Sequence, residues 1–254
     1  NVTDEEFNQR QKEVFLNLMP LFSDDLYGKE VKRFLIYNVN TNALRGIVNT
    51  SKKLPLGIYG EGLDVLLTNF NDKELELLNK YKFISWLKKL DFDKSEDFKK
   101  LGYKLGRSTS DLYFIDKYMR QNNNVFSAEN ANEGALYILF YLSLFISKKT
   151  PSFFAIDNIE TALNPKLCRD LIMSIAELAK INEKQVLITT HNPAVLDGLN
   201  LNDETQKLFV VRRTDEGFTK IEQIKLKPSV KDQKLKLSEM WMRGYLGGLP
   251  IENF

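Results

Sequence analysis

The 254-residue sequence has little of what marks a secreted or membrane-bound protein. It contains one cysteine, which excludes a disulfide framework and favours a cytoplasmic location. No segment reaches the roughly 18 consecutive apolar residues that a membrane-spanning helix requires, and no signal-peptide pattern is visible. The longest apolar stretch covers residues 135–147 and predicts a buried core helix. We therefore expect a cytoplasmic protein that has no membrane partner.

A phosphate-binding loop of the form G-x-x-x-x-G-K-[ST] is also missing from the sequence. The glycine-rich segment GIYGEG at residues 57–62 has no lysine and follows Pro55, so it does not form such a loop. The first residue is Asn1 rather than methionine. Together with the missing loop, this leads us to expect a fragment of a longer protein.

Positive and negative charges are nearly balanced. The sequence has 36 Lys and Arg against 34 Asp and Glu, and this net charge of +2 does not by itself indicate nucleic-acid binding. Lysines nevertheless crowd one C-terminal stretch: Lys220, Lys225, Lys227, Lys231, Lys234 and Lys236. A solvated, lysine-rich linker explains them better than a surface that follows a phosphate backbone, and a nucleic-acid partner stays open as an alternative.

The order of the predicted elements indicates an α/β fold. Helices are predicted at residues 5–19, 62–70 and 74–90, with a strand at 32–39 and a charged connection at 94–106. A strand at 111–119 and the apolar helix follow. From residue 151 the pattern becomes strand, loop, helix and strand, with the helix at 167–180 and the second strand at 185–190. This alternation favours a mainly parallel sheet flanked by helices, and residues 207–226 predict a C-terminal β-hairpin.

Polar residues follow two strands of the predicted parallel sheet. Asp157 comes directly after the apolar run at residues 153–156, and His191 directly follows the next strand. Because the carboxyl ends of parallel strands meet at one edge, both side chains should face one crevice. There the carboxylate could hold Mg²⁺ beside nucleotide phosphates, and the imidazole could contact the γ-phosphate and the attacking water. Taken singly, each has a plainer explanation, since buried strands often end in aspartate and a histidine can cap the turn at Asn192-Pro193.

The sequences around these residues are IDNIETALNP at 156–165 and LITTHNPAVLD at 187–197. They resemble the C-terminal half of ABC-type ATPases, in the branch that contains the SMC, RecF and OLD-like proteins; in transporter relatives the first run is D-E-P-T-S-A-L-D. The resemblance implies that Asp157 is the Walker B aspartate and that His191 is the switch histidine. It places Asn158 at the catalytic glutamate position and Asn164 at the D-loop aspartate. Glu160 is a second candidate for the base, although a structural contact within the loop is the better-supported role.

The same resemblance predicts a signature loop, whose serine and glycine contact the γ-phosphate held by another subunit. The segment NANEGALYIL at residues 130–139 fits, with Gly134 at the glycine position and Asn132 where serine is usual. A polar loop that opens an apolar helix also favours an anion on general grounds, because the helix N-terminus carries free N–H groups. The plainer alternative is an ordinary helix start with Asn132 as its cap.

The wider chain resembles a bacterial subgroup of AAA family ATPases found in anti-phage defence systems, through LPLGIYGEGLD, EGALYILF and WMRGYLGGLPIENF. These resemblances imply a peripheral region at residues 1–110, an ABC-type P-loop NTPase lobe at 111–226 and a tail at 227–254. They imply a subunit that binds ATP and Mg²⁺, hydrolyses ATP slowly, dimerises head to tail or forms a higher oligomer, and gates an effector such as a nuclease or toxin. The alternatives are an inactive pseudo-ATPase scaffold and a DNA-repair ATPase of the SMC/RecF type.

Overall fold

The computed structural model describes residues 33–47, 55–93, 107–120, 123–214, 216–225 and 235–247. The predicted helix at 5–19, the predicted connection at 94–106 and most of the lysine-rich stretch lie outside these ranges. The strands of the described residues are β1 (Leu35–Tyr37), β2 (Leu87–Phe92), β3 (Leu112–Asp116), β4 (Val125–Ser127), β5 (Phe153–Ile156), β6 (Gln185–Ile188), β7 (Leu208–Arg213) and β8 (Thr219–Ile224). Their α-helices are α1 (Thr41–Leu44), α2 (Leu63–Thr68), α3 (Asp72–Lys80), α4 (Glu133–Ile146), α5 (Pro165–Ile181), α6 (Pro193–Leu196) and α7 (Leu237–Met242).

A three-stranded parallel sheet in the order β1–β5–β6 is the centre of the fold. Ile156 at the end of β5 pairs with Tyr37 of β1 on one side and with Ile188 of β6 on the other. The predicted parallel sheet with flanking helices is therefore present. The sheet combines β1, which precedes residue 110, with β5 and β6, which follow it. The division of the chain into regions at 1–110, 111–226 and 227–254 stays a prediction.

Helix α4 fills the core beside this sheet. Asn132 caps it by accepting a hydrogen bond from the N–H of Ala135 (3.2 Å). Every residue of α4 after Glu133 is buried, since helices α1, α2, α3 and α5 pack around it. Its aromatic rings meet the sheet, with Phe145 edge-on to Phe154 at 5.3 Å. The apolar run therefore forms a buried helix, as predicted, and no helix in the described ranges is both long and apolar enough to cross a membrane.

An antiparallel sheet, β2–β3–β4, packs against the same core. The prediction of one helix over residues 74–90 is wrong in its second half. Helix α3 starts at a capping box formed by Asn71 and Glu74 and ends at Lys80. Beyond it, Trp86 packs on Phe126 of β4 at 5.3 Å, and β2 pairs with β3. Pairing with β3 therefore overrides the helical pattern there.

The predicted C-terminal hairpin is present as β7 and β8. With α6 and α7 it surrounds a second, smaller apolar cluster that contains Leu196 and Met240. The carboxylate of Asp197 ties α7 to the end of α6, because it accepts hydrogen bonds from the N–H (3.0 Å) and the hydroxyl (2.8 Å) of Ser238.

Candidate functional site

Asp157 follows β5, and Thr189 lies beside it directly after β6. Because Ile156 pairs with Ile188, the next residues along the two strands are neighbours. The Thr189 hydroxyl donates to Asp157 Oδ1 at 2.5 Å and accepts from the Asn158 N–H at 3.0 Å. One hydroxyl from β6 thus holds both the carboxylate and the backbone of the loop that follows β5.

Asn158 has a left-handed backbone, with a φ of 51°. Asparagine adopts this conformation more readily than other residues with a β-carbon. The Thr161 N–H (3.1 Å) and hydroxyl (2.8 Å) both donate to the Asn158 carbonyl, which closes a turn directly after Asp157. Asparagine at position 158 therefore suits the left-handed backbone of this turn, apart from any role of its side chain in hydrolysis.

Glu160 contacts the histidine segment through the backbone. Its Oε1 accepts from the His191 N–H at 2.8 Å, while its Oε2 is buried and has no hydrogen-bond partner among the described residues. The His191 side chain is exposed and makes no hydrogen bond to the residues that the structure describes. Glu160 thus holds His191 at the end of β6 while the imidazole is free to meet a ligand.

Cys168 lies beneath this loop in α5. Burial raises the pKa of its thiol, and the neighbouring Glu160 carboxylate raises that pKa further. The side chain is held between the Leu163 carbonyl and the Asn192 amide. A buried, protonated thiol packs as a small apolar group, so Cys168 is part of the core beneath this loop.

The proposed signature residues lie at the far end of the same loop. A β-carbon on Gly134 would be 3.1 Å from the Ala162 carbonyl oxygen, so the start of α4 and the loop are in close contact. Asn132 caps α4 with its side chain. The structure therefore places Asn132 and Gly134 beside the predicted D-loop of their own chain.

Asn164 closes the loop as the cap of α5. Its side chain accepts from the Leu167 N–H at 3.0 Å, and Pro165 occupies the first helical position, where no N–H is needed. Asn164 therefore fixes where the loop ends, and this helix cap is its role in the described chain.

The residues at the ends of β5 and β6 fit a magnesium-bound nucleotide. Mg²⁺ in phosphate sites is commonly held by one or two carboxylates together with phosphate oxygens and water. Asp157 offers one carboxylate, and its second oxygen accepts no hydrogen bond within the described part of the chain. No group of three or more His, Cys, Asp or Glu in that part could hold a metal ion alone. This donor set suits an ion that arrives with a nucleotide rather than a resident metal.

Thr189 is the site residue that the sequence did not single out. The sequence carried a signal for it, because the apolar runs at 153–156 and 186–188 are each followed directly by a polar residue. Aligning the ends of two parallel strands pairs Asp157 with Thr189 and places His191 two residues beyond. The predicted strand at 185–190 includes Thr189 and ends before His191, whereas β6 ends at Ile188.

Comparison with known proteins gives one family. A family model described as "AAA domain, putative AbiEii toxin, Type IV TA system" matches residues 64–197, just over half of the chain. This range contains all of the candidate site residues and ends at Asp197, directly after α6. No curated protein matches the chain. The matched residues include β5 and β6 of the parallel sheet and the two residues that follow these strands, Asp157 and His191. Because the match covers more than half of the chain, the chain belongs to this AAA domain family of P-loop ATPases.

Proposed function

We propose that the chain is the C-terminal part of an ABC-type ATPase of the SMC/RecF/OLD-like branch. It binds Mg-ATP at the ends of β5 and β6 and hydrolyses it slowly. The observation that carries the proposal is the Thr189 hydroxyl, which joins Asp157 and Asn158 across two parallel strands. An ATPase needs an oriented carboxylate at this edge, and the hydrogen bond supplies the orientation.

Each residue at this edge has a separate task. Asp157 holds the ion, directly or through water, with the oxygen that Thr189 leaves free. Bound Mg²⁺ would neutralise charge on the β- and γ-phosphates. His191, exposed at the end of β6, donates a hydrogen bond to the γ-phosphate or to the attacking water. Glu160 is a positioning residue, because its carboxylate contacts the His191 backbone and its free oxygen is buried.

Slow hydrolysis follows from Asn158. A side-chain amide can hold a water molecule but cannot take its proton at neutral pH, and general-base assistance contributes about 10²–10⁴-fold to a rate. Such a site holds its ATP-bound state for a long time. This behaviour suits a sensor that restrains an effector such as a nuclease or toxin, in the manner of an anti-phage defence system.

In this proposal the phosphate-binding lysine comes from polypeptide outside residues 1–254, since the sequence has no G-x-x-x-x-G-K-[ST] motif. Ile36 of β1 and Leu187 of β6 lie in one cross-strand row with Ala155 and are 57% and 52% exposed. Parallel sheets normally have both faces covered, so this row offers a surface on which such polypeptide would pack.

We also propose a head-to-tail dimer in which Asn132 and Gly134 contact the nucleotide of a second subunit. The start of α4 presents backbone N–H groups, and in its own chain it faces the loop at Ala162 rather than Asp157. Gly134→Asp should prevent ATP-dependent dimerisation through charge repulsion. Gly134→Ala is the matched control, because it adds the same β-carbon near the Ala162 carbonyl without the charge. If both variants dimerise with ATP as well as the parent, Gly134 is not a signature residue.

Two other functions are alternatives to a slowly hydrolysing ATPase. A pseudo-ATPase scaffold would keep the same strand ends without turnover. A DNA-repair ATPase would require a basic groove along its surface, which the near-neutral net charge of +2 does not favour.

The test is ATP turnover by the chain joined to the polypeptide that carries the phosphate-binding lysine. Asp157→Asn should abolish turnover, whereas Asp72→Asn, an equal change at an exposed position of α3, should not. Asn158→Glu should raise turnover by supplying a base. Turnover that is unaffected by Asp157→Asn would exclude this site, and no turnover in either the parent or Asn158→Glu would favour the scaffold.

A further inference from the structure

A cavity of about 460 Å³ is lined by none of the residues of the candidate ATP site. Its walls come from Arg33 and β1, from residues 55–56 and from residues 148–152, which precede β5. Asp157 and His191 follow the opposite, carboxyl ends of β5 and β6. The volume is within the range of about 300–1,000 Å³ that is usual for small-molecule sites.

Three cationic side chains line the cavity: Arg33, Lys148 and Lys149. All three are exposed, and none forms an ion pair within the described ranges of the chain. The carboxylate of Glu74 contacts the Lys148 backbone, from whose N–H it accepts a hydrogen bond at 3.4 Å, and does not pair with the Lys148 ammonium. The cavity therefore offers several positive charges that no carboxylate of the described chain neutralises.

A fourth cation lies behind the same wall. The Lys184 ammonium donates to Thr150 Oγ1 at 2.7 Å and to the Pro151 carbonyl at 3.1 Å, and both residues line the cavity. Burial lowers the pKa of Lys184 to about 8, and Glu74 only partly opposes this shift. An anion bound in the cavity would supply negative charge close to Arg33, Lys148, Lys149 and Lys184.

Apart from Thr150 and Ser152, the rest of the lining is apolar. Leu35, Pro55 and Leu56 form one wall, and Tyr37 adds a buried ring whose hydroxyl has no hydrogen-bond partner among the described residues. Cations beside an apolar wall suit a ligand with a phosphate and a flat, weakly polar body. A bare inorganic ion would leave the apolar wall without a contact.

We propose that this cavity binds a nucleoside phosphate, either free or at the end of a nucleic-acid strand. Lys148, Lys149 and Arg33 contact the phosphate, because lysine and arginine form strong charge-assisted hydrogen bonds to phosphate oxygens. The base packs against Leu35 and Pro55, which are half-buried and exposed, over the buried Leu56. The site is independent of the proposed ATP site and needs neither Asp157 nor magnesium.

The test uses fluorescence anisotropy with a short single-stranded DNA that carries a 5′-phosphate and a 3′-fluorophore, and with its 5′-hydroxyl twin. Excess EDTA removes magnesium, so that the site at Asp157 does not contribute. Three double variants are compared with the parent chain: K148Q/K149Q, the charge-conserving K148R/K149R, and K88Q/K117Q. The last removes the same charge from exposed positions in and beside the antiparallel sheet, outside the cavity lining and the lysine-rich stretch.

The phosphorylated strand should bind more tightly than its twin. K148Q/K149Q should weaken this binding by about tenfold or more, the loss expected for one charge-assisted hydrogen bond, while the other two double variants keep it. Displacement of the strand by AMP but not by adenosine identifies a free nucleotide as sufficient, and failure of AMP to compete assigns the site to strand ends. Equal binding of the two strands, no binding of either, or equal losses in K148Q/K149Q and K88Q/K117Q would overturn the proposal.

Discussion

Replacing Thr189 with valine removes one hydroxyl and keeps the shape and β-branching of the side chain. In the parent chain this hydroxyl makes two hydrogen bonds, one to Asp157 Oδ1 and one from the Asn158 N–H. Thr189→Val therefore tests whether the link between β5 and β6 stabilises the loop and orients the carboxylate. Neither strand loses β-propensity, since valine is favoured in strands.

The cost is estimated from the two bonds. A hydrogen bond to a charged group contributes about 1.5–3 kcal/mol and a neutral one about 0.5–1.5 kcal/mol. Thr189 is exposed, so water replaces part of both contacts. We expect the free energy of unfolding to fall by about 1–2 kcal/mol. Because loss of a group that orients a metal ligand typically costs about 10–100-fold, ATP turnover with the phosphate-binding segment present should fall by a similar factor.

Urea unfolding followed by tryptophan fluorescence measures the first effect, with Trp86 and Trp241 as probes. Thr219→Val is the matched control, since Thr219 is exposed at the start of β8 and its hydroxyl has no hydrogen bond within the described residues. The control should stay within about 0.5 kcal/mol of the parent. Equal stability of the two variants, with equal turnover, would refute the role assigned to Thr189.

Other predictions concern the same loop and the lysine behind the cavity. Ala162 has a φ of 61°, a left-handed backbone that costs alanine energy, so Ala162→Gly should raise the free energy of unfolding by up to about 1 kcal/mol in urea titrations; a fall would contradict this. Glu160→Gln keeps an acceptor for the His191 N–H and should leave ATP turnover nearly unchanged, whereas Glu160→Ala should lower turnover by about tenfold. Loss of turnover in Glu160→Gln would show that Glu160 is the base and that Asn158 does not cause slow hydrolysis. Burial lowers the pKa of Lys184 to about 8 in the folded chain, so above pH 8 the unfolded chain binds more protons than the folded one. The free energy of unfolding should therefore rise from about pH 8 to pH 10. Urea midpoints should show this rise in the parent chain and not in Lys184→Met.

The sequence predicted the part of the fold in which local patterns and tertiary structure agree. The run of β5, α5 and β6 has short apolar strands and an amphipathic helix between them, so the parallel pair and the placement of Asp157 and His191 follow from periodicity alone. Asn132 is a helix cap, which is the plainer of the two roles predicted for it, whereas the cap formed by Asn164 was not predicted.

The remaining features depend on contacts between distant parts of the chain. β1 joins the parallel sheet beside β5, and β2 ends the predicted long helix by pairing with β3. The register that brings Thr189 to Asp157 is fixed by the packing of the whole sheet, so it is not visible within either strand. The left-handed backbone of Asn158 was equally hidden, because the resemblance to ABC-type ATPases assigned that position by chemistry and not by conformation.

The most direct test of the ATP site uses His191, the single histidine of the chain. Its imidazole protons give unique proton NMR signals, and Mn²⁺ in place of Mg²⁺ broadens signals from nearby protons. Titration of residues 1–254 with Mn-ATP detects even weak binding, because exchange is then fast. We predict that Mn-ATP broadens the His191 signals, that Mn²⁺ without ATP does so far less, and that Asp157→Asn abolishes the difference. Broadening that is absent, or identical in Asp157→Asn, would contradict an ATP site formed by Asp157 and His191.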